Sequence, residues 1–218
     1  MKKIIAILMA ATMLLTLCAC GAKPKAEISG SVEPAAEETK PDIGSVNGGV
    51  YENKFIGIGC ELDSNWTYSS KEELAGMVNL TAESFTDEEF KNQMLNADLF
   101  YDMMAASSDG LANMNIVIQN IGVLYGTVLD IDTYIDMNID QAPAQMTQAG
   151  FSNIKCEKVN VSFAGSEVPA IYMTSIIQGI ECYQLLVPIK QGNYIANVTF
   201  TSFMEDITGT LAGYFYAL

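Results

Sequence analysis

The chain has 218 residues, half of them hydrophobic, and its 11 basic residues stand against 26 acidic ones, a formal charge of −15 at pH 7. All the basic residues are lysine, and an acidic chain without arginine is a poor partner for the phosphates of nucleic acids. Histidine is absent, which excludes Ser-His-Asp and Cys-His catalytic arrangements and imidazole metal sites. We therefore expect no nucleic-acid partner, no cofactor and no enzyme activity.

The first residues predict export and a lipid anchor. Two lysines precede an uncharged apolar run that ends at Leu17, which is the layout of a signal peptide. The sequence Leu-Cys-Ala-Cys-Gly at 17–21 resembles the bacterial lipobox, and the resemblance implies cleavage after Ala19 and lipid attachment to the sulfur of Cys20. Cys18 fits less well, because Leu17 would then take the place of the small residue. A plain signal peptide and a short membrane anchor are the alternatives.

Behind the predicted signal peptide, 1–19, the composition indicates a spacer and one domain. Residues 20–49 contain no aromatic side chain, so they cannot bury enough apolar surface to offset their ordering entropy. We predict a flexible spacer there and a single domain over 50–218. The leader holds two of the basic residues and none of the acidic ones, so the mature chain would carry nine lysines against 26 carboxylates, a formal −17. That charge opposes electrostatic attraction to anionic lipid, and membrane contact is expected through Cys20 alone.

Strands and turns are predicted at the start of the domain. Apolar residues alternate with glycines from Ile56 to Cys60, which indicates a strand, and the polar turn at 63–65 precedes Trp66. Strand-forming segments at 98–105 and 113–120 flank a Ser-Asp-Gly turn, so they predict a hairpin.

Three helices are predicted from their capping residues. Ser70 is expected to cap a helix over 71–79, with Glu73 completing a capping box, and Thr86 to cap a second helix. A third begins at Asp130 or Asp132 and runs to about 149, before a glycine. Pro143 should kink or divide this third helix. Its inner side is marked by Ile131, Ile135, Ile139 and Met146.

The last third of the chain predicts an antiparallel meander followed by a helix. Short Gly-containing turns separate four strand-like segments, so neighbouring segments should pair antiparallel. Both faces of the second segment are apolar, which predicts a sheet covered on both sides. A closing helix is expected over 202–217, with Phe203, Ile207, Leu211, Tyr214 and Phe215 facing the core. The four segments are 154–163, 167–177, 181–190 and 193–201.

This order of elements resembles the PsbP-like fold, in its PsbP and DcrB types and in many clostridial-type lipoproteins. The resemblance covers about 50–218 and rests on the Tyr51 and Asn53 opening, the Trp66 stretch, the long middle helix and the meander. It implies an α+β domain of the α/β/α sandwich type, with an antiparallel sheet of six to seven strands between helices on both faces. A non-catalytic accessory role is usual in such proteins.

Carboxylates are the main remaining candidates for chemistry. Asp132, Asp136 and Asp140 recur every four residues and should form one acidic stripe on the middle helix. A solvated face is the preferred interpretation and a cation site the alternative, because a calcium site usually draws oxygens from a folded loop. A histidine-free hydrolase would need two carboxylates that converge in a cleft.

For the sulfur-containing and aromatic side chains, a structural role is the preferred interpretation. The methionines at 103, 104 and 114 are expected to fill core gaps rather than bind a soft metal. The cysteines at 60, 156 and 182 are expected to be buried thiols, which suits an anaerobic Gram-positive host; a disulfide from Cys60 is the alternative. Trp66, Tyr51 and Tyr68, together with Tyr101 and Tyr125, are candidates for a partner or ligand surface, but packing at the core edge is the preferred interpretation.

Together these patterns predict an extracytoplasmic domain, anchored to the cell membrane by lipid at Cys20. Its expected role is non-catalytic binding to another envelope protein. A small-molecule or cation-binding lipoprotein is the alternative, and a hydrolase comes third.

Overall fold

The computed structural model describes residues 41–78 and 87–218. The strands are β1 (Ser45–Asn47), β2 (Val50–Asn53), β3 (Ile58–Glu61), β4 (Trp66–Tyr68), β5 (Leu99–Ser107), β6 (Ala112–Asn120), β7 (Phe151–Phe163), β8 (Ser166–Ile177), β9 (Ile180–Gln191), β10 (Tyr194–Phe203) and β11 (Phe215–Ala217). The helices are α1 (Lys71–Met77), α2 (Asp87–Leu95), α3 (Gly122–Val128), α4 (Ile131–Gln148) and α5 (Thr208–Ala212). No helix in these ranges combines the length and apolarity that crossing a bilayer requires.

Seven strands form one sheet in the order β4-β5-β6-β10-β9-β8-β7, and all neighbours in it are antiparallel. The predicted hairpin, β5 and β6, and the predicted meander, β7 to β10, are both confirmed. The turn between β7 and β8 places Ala164 and Gly165 at φ 48° and 80°, and the next turn places Gln178 and Gly179 at 51° and 83°. Positive φ at both central residues is what a two-residue hairpin turn needs to match strand twist.

A second sheet of four strands, in the order β1-β2-β3-β11, was not predicted as a separate sheet. Its first strand begins at Ser45, so ordered pairing starts inside the range that was predicted as spacer. Its last strand pairs Phe215 with Cys60, which joins the end of the described chain to its beginning.

The two faces of the large sheet are covered differently. On one face, the small sheet and three short helices pack over a large apolar cluster, which contains Tyr51, Cys60, Ala75, Met94, Met114, Phe200, Leu211 and Phe215 among others. On the other face, Ile135 and Met146 of α4 pack against Ile171 and Leu186. The α+β class with antiparallel sheets is therefore confirmed.

The helix caps predicted at Ser70 and Asp130 are confirmed. The Glu73 backbone N–H donates to the Ser70 hydroxyl at 3.2 Å, and the Ser70 backbone N–H donates to the Glu73 carboxylate at 2.8 Å. Asp130 caps α4 by accepting from the Thr133 backbone N–H at 2.7 Å. Thr86 lies outside the described residues. α4 runs unbroken through Pro143, so the predicted division is wrong, because Met146 and other buried residues hold both halves to the sheet.

The helix predicted over 202–217 is also wrong. The end of β10 keeps its pairing with β9 as far as Phe203, α5 is only five residues long, and β11 follows it. Gly209 and Gly213 weaken a longer helix, while pairing with β3 buries Phe215 to 5% exposure. Tyr214, predicted to face the core, is 39% exposed.

Candidate functional site

Trp66 lies on β4, the edge strand of the large sheet, and is half-buried. Its indole meets the Tyr214 ring edge to face, with ring centroids 6.2 Å apart and an interplanar angle of 77°. Tyr216, two residues after Tyr214 in the sequence, is 37% exposed, and its ring lies over Gly59 of the small sheet. We call Trp66, Tyr214 and Tyr216 the aromatic surface.

A glycine lets the Tyr216 ring lie this close to the small sheet. A Cβ built on Gly59 would stand 2.7–2.8 Å from atoms of that ring, so any larger residue would displace it. Gly59 pairs with Glu52 on one side and with Tyr216 on the other, so all three point to the outer face. Partial desolvation, followed by the negative charge of Glu52, raises the pKa of Tyr216.

Three of the five aromatic residues considered for this surface pack inward to different degrees. The Tyr68 hydroxyl donates to the Gly49 carbonyl at 3.1 Å and contacts the Cys60 sulfur at 3.5 Å, and burial raises its pKa. Tyr51 is fully buried, so its assignment to a surface is wrong. The alternation of β2 turns it inward, opposite Cys60. Tyr101 is 4% exposed and Tyr125 is 50% exposed.

The Tyr51 hydroxyl belongs to a buried network around Asp102. It donates to the Asp102 carboxylate, which also accepts from the Asn53 amide at 2.8 Å and from the Gly44 backbone N–H at 2.7 Å. Complete burial raises the pKa of Asp102, and these three donors act to lower it. Gly44 lies just before β1, so the network fastens the segment that leads into β1 to the large sheet. Asp42 forms an ion pair with Lys91 of α2 close by.

The acidic stripe lies on the exposed side of α4. Lys158 of β7 reaches two of its members, with its Nζ 2.8 Å from the Asp132 carboxylate and 3.3 Å from that of Asp136. Hydrogen bonding to Asp132, and then to Asp136, raises the pKa of Lys158. Asp140 is exposed one turn further along. Across the described ranges, no three His, Cys, Asp or Glu side chains come together as a metal site.

The three cysteines of the domain are free thiols inside or beside the cores. Burial raises the pKa of Cys60 to about 11 and that of Cys182 to about 12, and it also raises the pKa of Cys156. Such thiols stay protonated at neutral pH and are poor nucleophiles. Met103, Met104 and Met114 are between 0% and 7% exposed, which confirms that they fill the core. Cys20 lies outside the described residues.

A block of polar side chains that was not predicted is buried on the α4 side of the large sheet. Asn113 stands opposite Thr201, and Asn115 stands opposite Thr199, so the four share one face. All are at most 5% exposed. Among the described residues, neither amide atom of Asn113 has a hydrogen-bond partner, and the Asn115 amide nitrogen also lacks one. We call Asn113, Asn115, Thr199 and Thr201 the buried polar block.

Two of the surface concavities formed by the described residues border the large sheet. The larger, of about 480 Å³, is lined by Asn153, Ile154, Lys155, Thr174, Ser175, Ile176, Glu181 and Tyr183. It holds one carboxylate, that of Glu181, which accepts a hydrogen bond from the Tyr183 hydroxyl at 3.0 Å. The other, of about 370 Å³, is mostly apolar and includes Ile56, Ile58, Val187 and Ile189. The larger concavity therefore offers one positive side chain, Lys155, and one negative side chain, Glu181, to a small polar ligand.

Comparisons with known proteins do not place the chain in a family. No protein-family model matches it, and no curated protein matches it in sequence. A crystal structure of a Pseudomonas aeruginosa protein of unknown function is similar at a TM-score of 0.30 and 14% sequence identity. The similarity covers 41% of this chain and 58% of the Pseudomonas protein. This chain therefore spans less than two thirds of the length of the Pseudomonas protein. A likeness of this size supports no inference about function.

Proposed function

We propose that this protein is a lipid-anchored extracytoplasmic binding module that docks another envelope protein through its aromatic surface. The observation that carries the proposal is the partial exposure of three aromatic side chains, Trp66, Tyr214 and Tyr216, with Trp66 and Tyr214 in ring contact. Aromatic side chains with polar tips are enriched at protein interfaces, because they bury a large area at a low cost in side-chain entropy. The lipobox resemblance at Cys20 supplies the location.

The rigidity of the support favours docking over incidental exposure. Phe215, which lies between Tyr214 and Tyr216, is 5% exposed and packs against Phe163 and Phe200 with ring centroids 5.4 Å apart in both cases. The two exposed rings are therefore presented from a segment that the core holds in place. A rigid anchor loses less entropy on binding than a flexible one.

A photo-crosslinking side chain at Tyr216, introduced into the full-length protein in intact membranes, tests docking directly. We expect one discrete adduct that weakens when Trp66→Ala is added. It should persist with Met137→Ala, because Met137 is a 40% exposed apolar residue on α4 at the other side of the large sheet. Equal adduct formation in both variants would exclude the aromatic surface, and no reproducible adduct would count against a protein partner.

The anchor is tested by Cys20→Ala. We expect this variant to leave the membrane fraction, whereas Cys18→Ala should stay there, because Leu17 does not suit the position before a modified cysteine. Retention of the Cys20→Ala protein in membranes would refute the lipid model and would favour an uncleaved apolar leader.

A second candidate is the binding of a small molecule in the 480 Å³ concavity. The juxtaposed Lys155 and Glu181 suit a small zwitterion, and the volume lies within the range typical of ligand sites. A panel of amino acids and short peptides in a thermal-shift assay tests it. A shift with the wild-type protein that Glu181→Gln abolishes would favour this function, and no shift would dispose of this class of ligand.

We also propose the PsbP-like α/β/α sandwich as the family of the fold. The middle helix, the C-terminal meander and the coverage of both sheet faces support it. The four-stranded sheet with β11 replaces the closing helix that the resemblance implied, so an experimental structure of a lipoprotein of the same type, aligned over both sheets, is the decisive comparison.

A further inference from the structure

Helix α3 exposes nearly all of its apolar side chains. Val123, Leu124, Tyr125 and Val128 are 63%, 66%, 50% and 68% exposed, and none of the seven residues of the helix is buried. From 121 to 129 the sequence contains no charged residue. A folded domain seldom leaves so many large apolar side chains together in water without a binding role.

The back of α3 is fixed to the domain, which turns its apolar side outward. Gly126 lies against the turn between β9 and β10, where an added Cβ would stand 2.3 Å from the Asn193 side-chain oxygen. Just before the helix, the Ile121 backbone N–H donates to the Asn193 carbonyl at 2.8 Å. The exposure of Val123, Leu124 and Val128 is therefore built into the fold.

The spacer enters the domain at the same end as α3. Gly44 is bound to Asp102, which lies three residues along β5 from Leu99, or about 10 Å at the usual rise of a strand. Leu99 pairs with Gln119, two residues before Ile121 and the start of α3. Trp66, in contrast, pairs with Ser107 at the other end of β5.

We propose that α3 lies in the membrane interface, with its apolar side among the lipid headgroups and upper acyl chains. This rests on the proposed lipid anchor at Cys20. About 22 residues separate Cys20 from Asp42, and a random coil of that length would have a root-mean-square span of about 25 Å, which would keep this end of the domain near the bilayer. Short apolar helices with a tyrosine suit the interface.

The lipid surface that fits is a zwitterionic one. α3 is flanked by exposed acidic residues: Asp130 follows it, and the carbonyl of Asp98 accepts from Asn120 just before it. With the acidic balance of the whole chain, these carboxylates repel an anionic surface. The helix thus adds an apolar contact, where composition alone predicted the lipid as the sole attachment.

Fluorescence quenching tests the proposal on the mature, lipidated, full-length protein in phosphatidylcholine vesicles. Trp66 is the one tryptophan of the chain, so the Leu124→Trp, Trp66→Phe double variant reports on α3 and the unaltered protein reports on the far end. With brominated acyl chains, we expect the emission of the double variant to fall at least about twofold, since an interfacial helix lies about 5–10 Å into the headgroup and acyl boundary. Trp66 emission should not change.

A second reporter, Val128→Trp with Trp66→Phe, guards against a local disturbance at 124, and flotation of the vesicles is measured in parallel. Flotation without quenching of either reporter would overturn the membrane contact of α3 while leaving the anchor intact. Failure to float would refute the anchor, and the contact with it. Quenching that strengthens when phosphatidylglycerol is added would overturn the assignment to a zwitterionic surface.

Discussion

The hydroxyl of Tyr51 offers a sharp test of the buried network at Asp102. Tyr51→Phe deletes one donor to a fully buried carboxylate and leaves the Asn53 and Gly44 donors, at 2.8 Å and 2.7 Å, in place. A hydrogen bond to a charged group contributes about 1.5–3 kcal/mol, so we expect a loss of about 2 kcal/mol in the free energy of unfolding near neutral pH. In urea this corresponds to a fall of about 1 M in the midpoint with an unchanged slope.

The pH dependence of this loss has a definite sign. Burial raises the pKa of Asp102 and the Tyr51 hydrogen bond lowers it, so the variant raises that pKa further. A carboxyl with a raised folded-state pKa stabilises the fold below its unfolded pKa, and this stabilisation is lost as the pH rises through the folded-state pKa. The deficit of Tyr51→Phe should therefore be largest near neutral pH and smaller near the ordinary carboxyl pKa of about 4.

The matched control is Tyr125→Phe, which removes a hydroxyl from a 50% exposed side chain and should change the stability by less than about 0.5 kcal/mol. Urea unfolding of the three proteins at both pH values provides the measurement. An equal deficit for Tyr51→Phe at the two pH values would refute the effect of the Tyr51 hydrogen bond on the pKa of Asp102. A deficit no larger than that of the control would refute the network itself.

Three further results are expected. Asn113→Leu should raise the free energy of unfolding by about 1–2 kcal/mol in a urea titration, because it removes a buried amide that has no hydrogen-bond partner among the described residues. Destabilisation would mean that the amide binds a water or ligand group. Gly59→Ala should reduce crosslinking from the probe at position 216 with little change in Tm, because its Cβ occupies the space of the side chain at 216. Gly76→Ala in α1, where a Cβ meets open space, is its control, and equal crosslinking in both would exclude a role for the ring position. Lys158→Ala should leave Tm unchanged at high salt, since its ion pairs with the acidic stripe are exposed and screened; a large salt-independent fall would contradict this.

Local signals in the sequence predicted much of the fold. The Ser70 and Glu73 capping box and the Asp130 cap depend on contacts within one helical turn, and the turns of the meander depend on adjacent residues. Apolar alternation then fixes which side of each strand is buried. These features are readable because the atoms that make them are close together in the chain.

The predictions that were wrong all concern residues whose contact partners are distant in the sequence. The spacing of Leu211 and Phe215 fits a helix, but pairing of β11 with β3 decides the outcome, across more than 150 residues. The same pairing exposes Tyr214 and Tyr216, so the aromatic surface was not predictable beyond Trp66. Tyr51 remained a candidate for the surface because its partner, Asp102, comes from a bulge in β5 that no periodicity indicates.

The closure of the small sheet by β11 has a consequence for the order of folding. Cys60 meets Phe215 only after nearly the whole domain has been synthesised, so this sheet has a high contact order. The hairpin of β5 and β6 and the later meander form from neighbouring segments and can assemble earlier. A chain that lacks 215–218 should therefore accumulate as a partly folded species in which the small sheet is incomplete and the apolar cluster around Phe163 and Phe200 is partly uncovered.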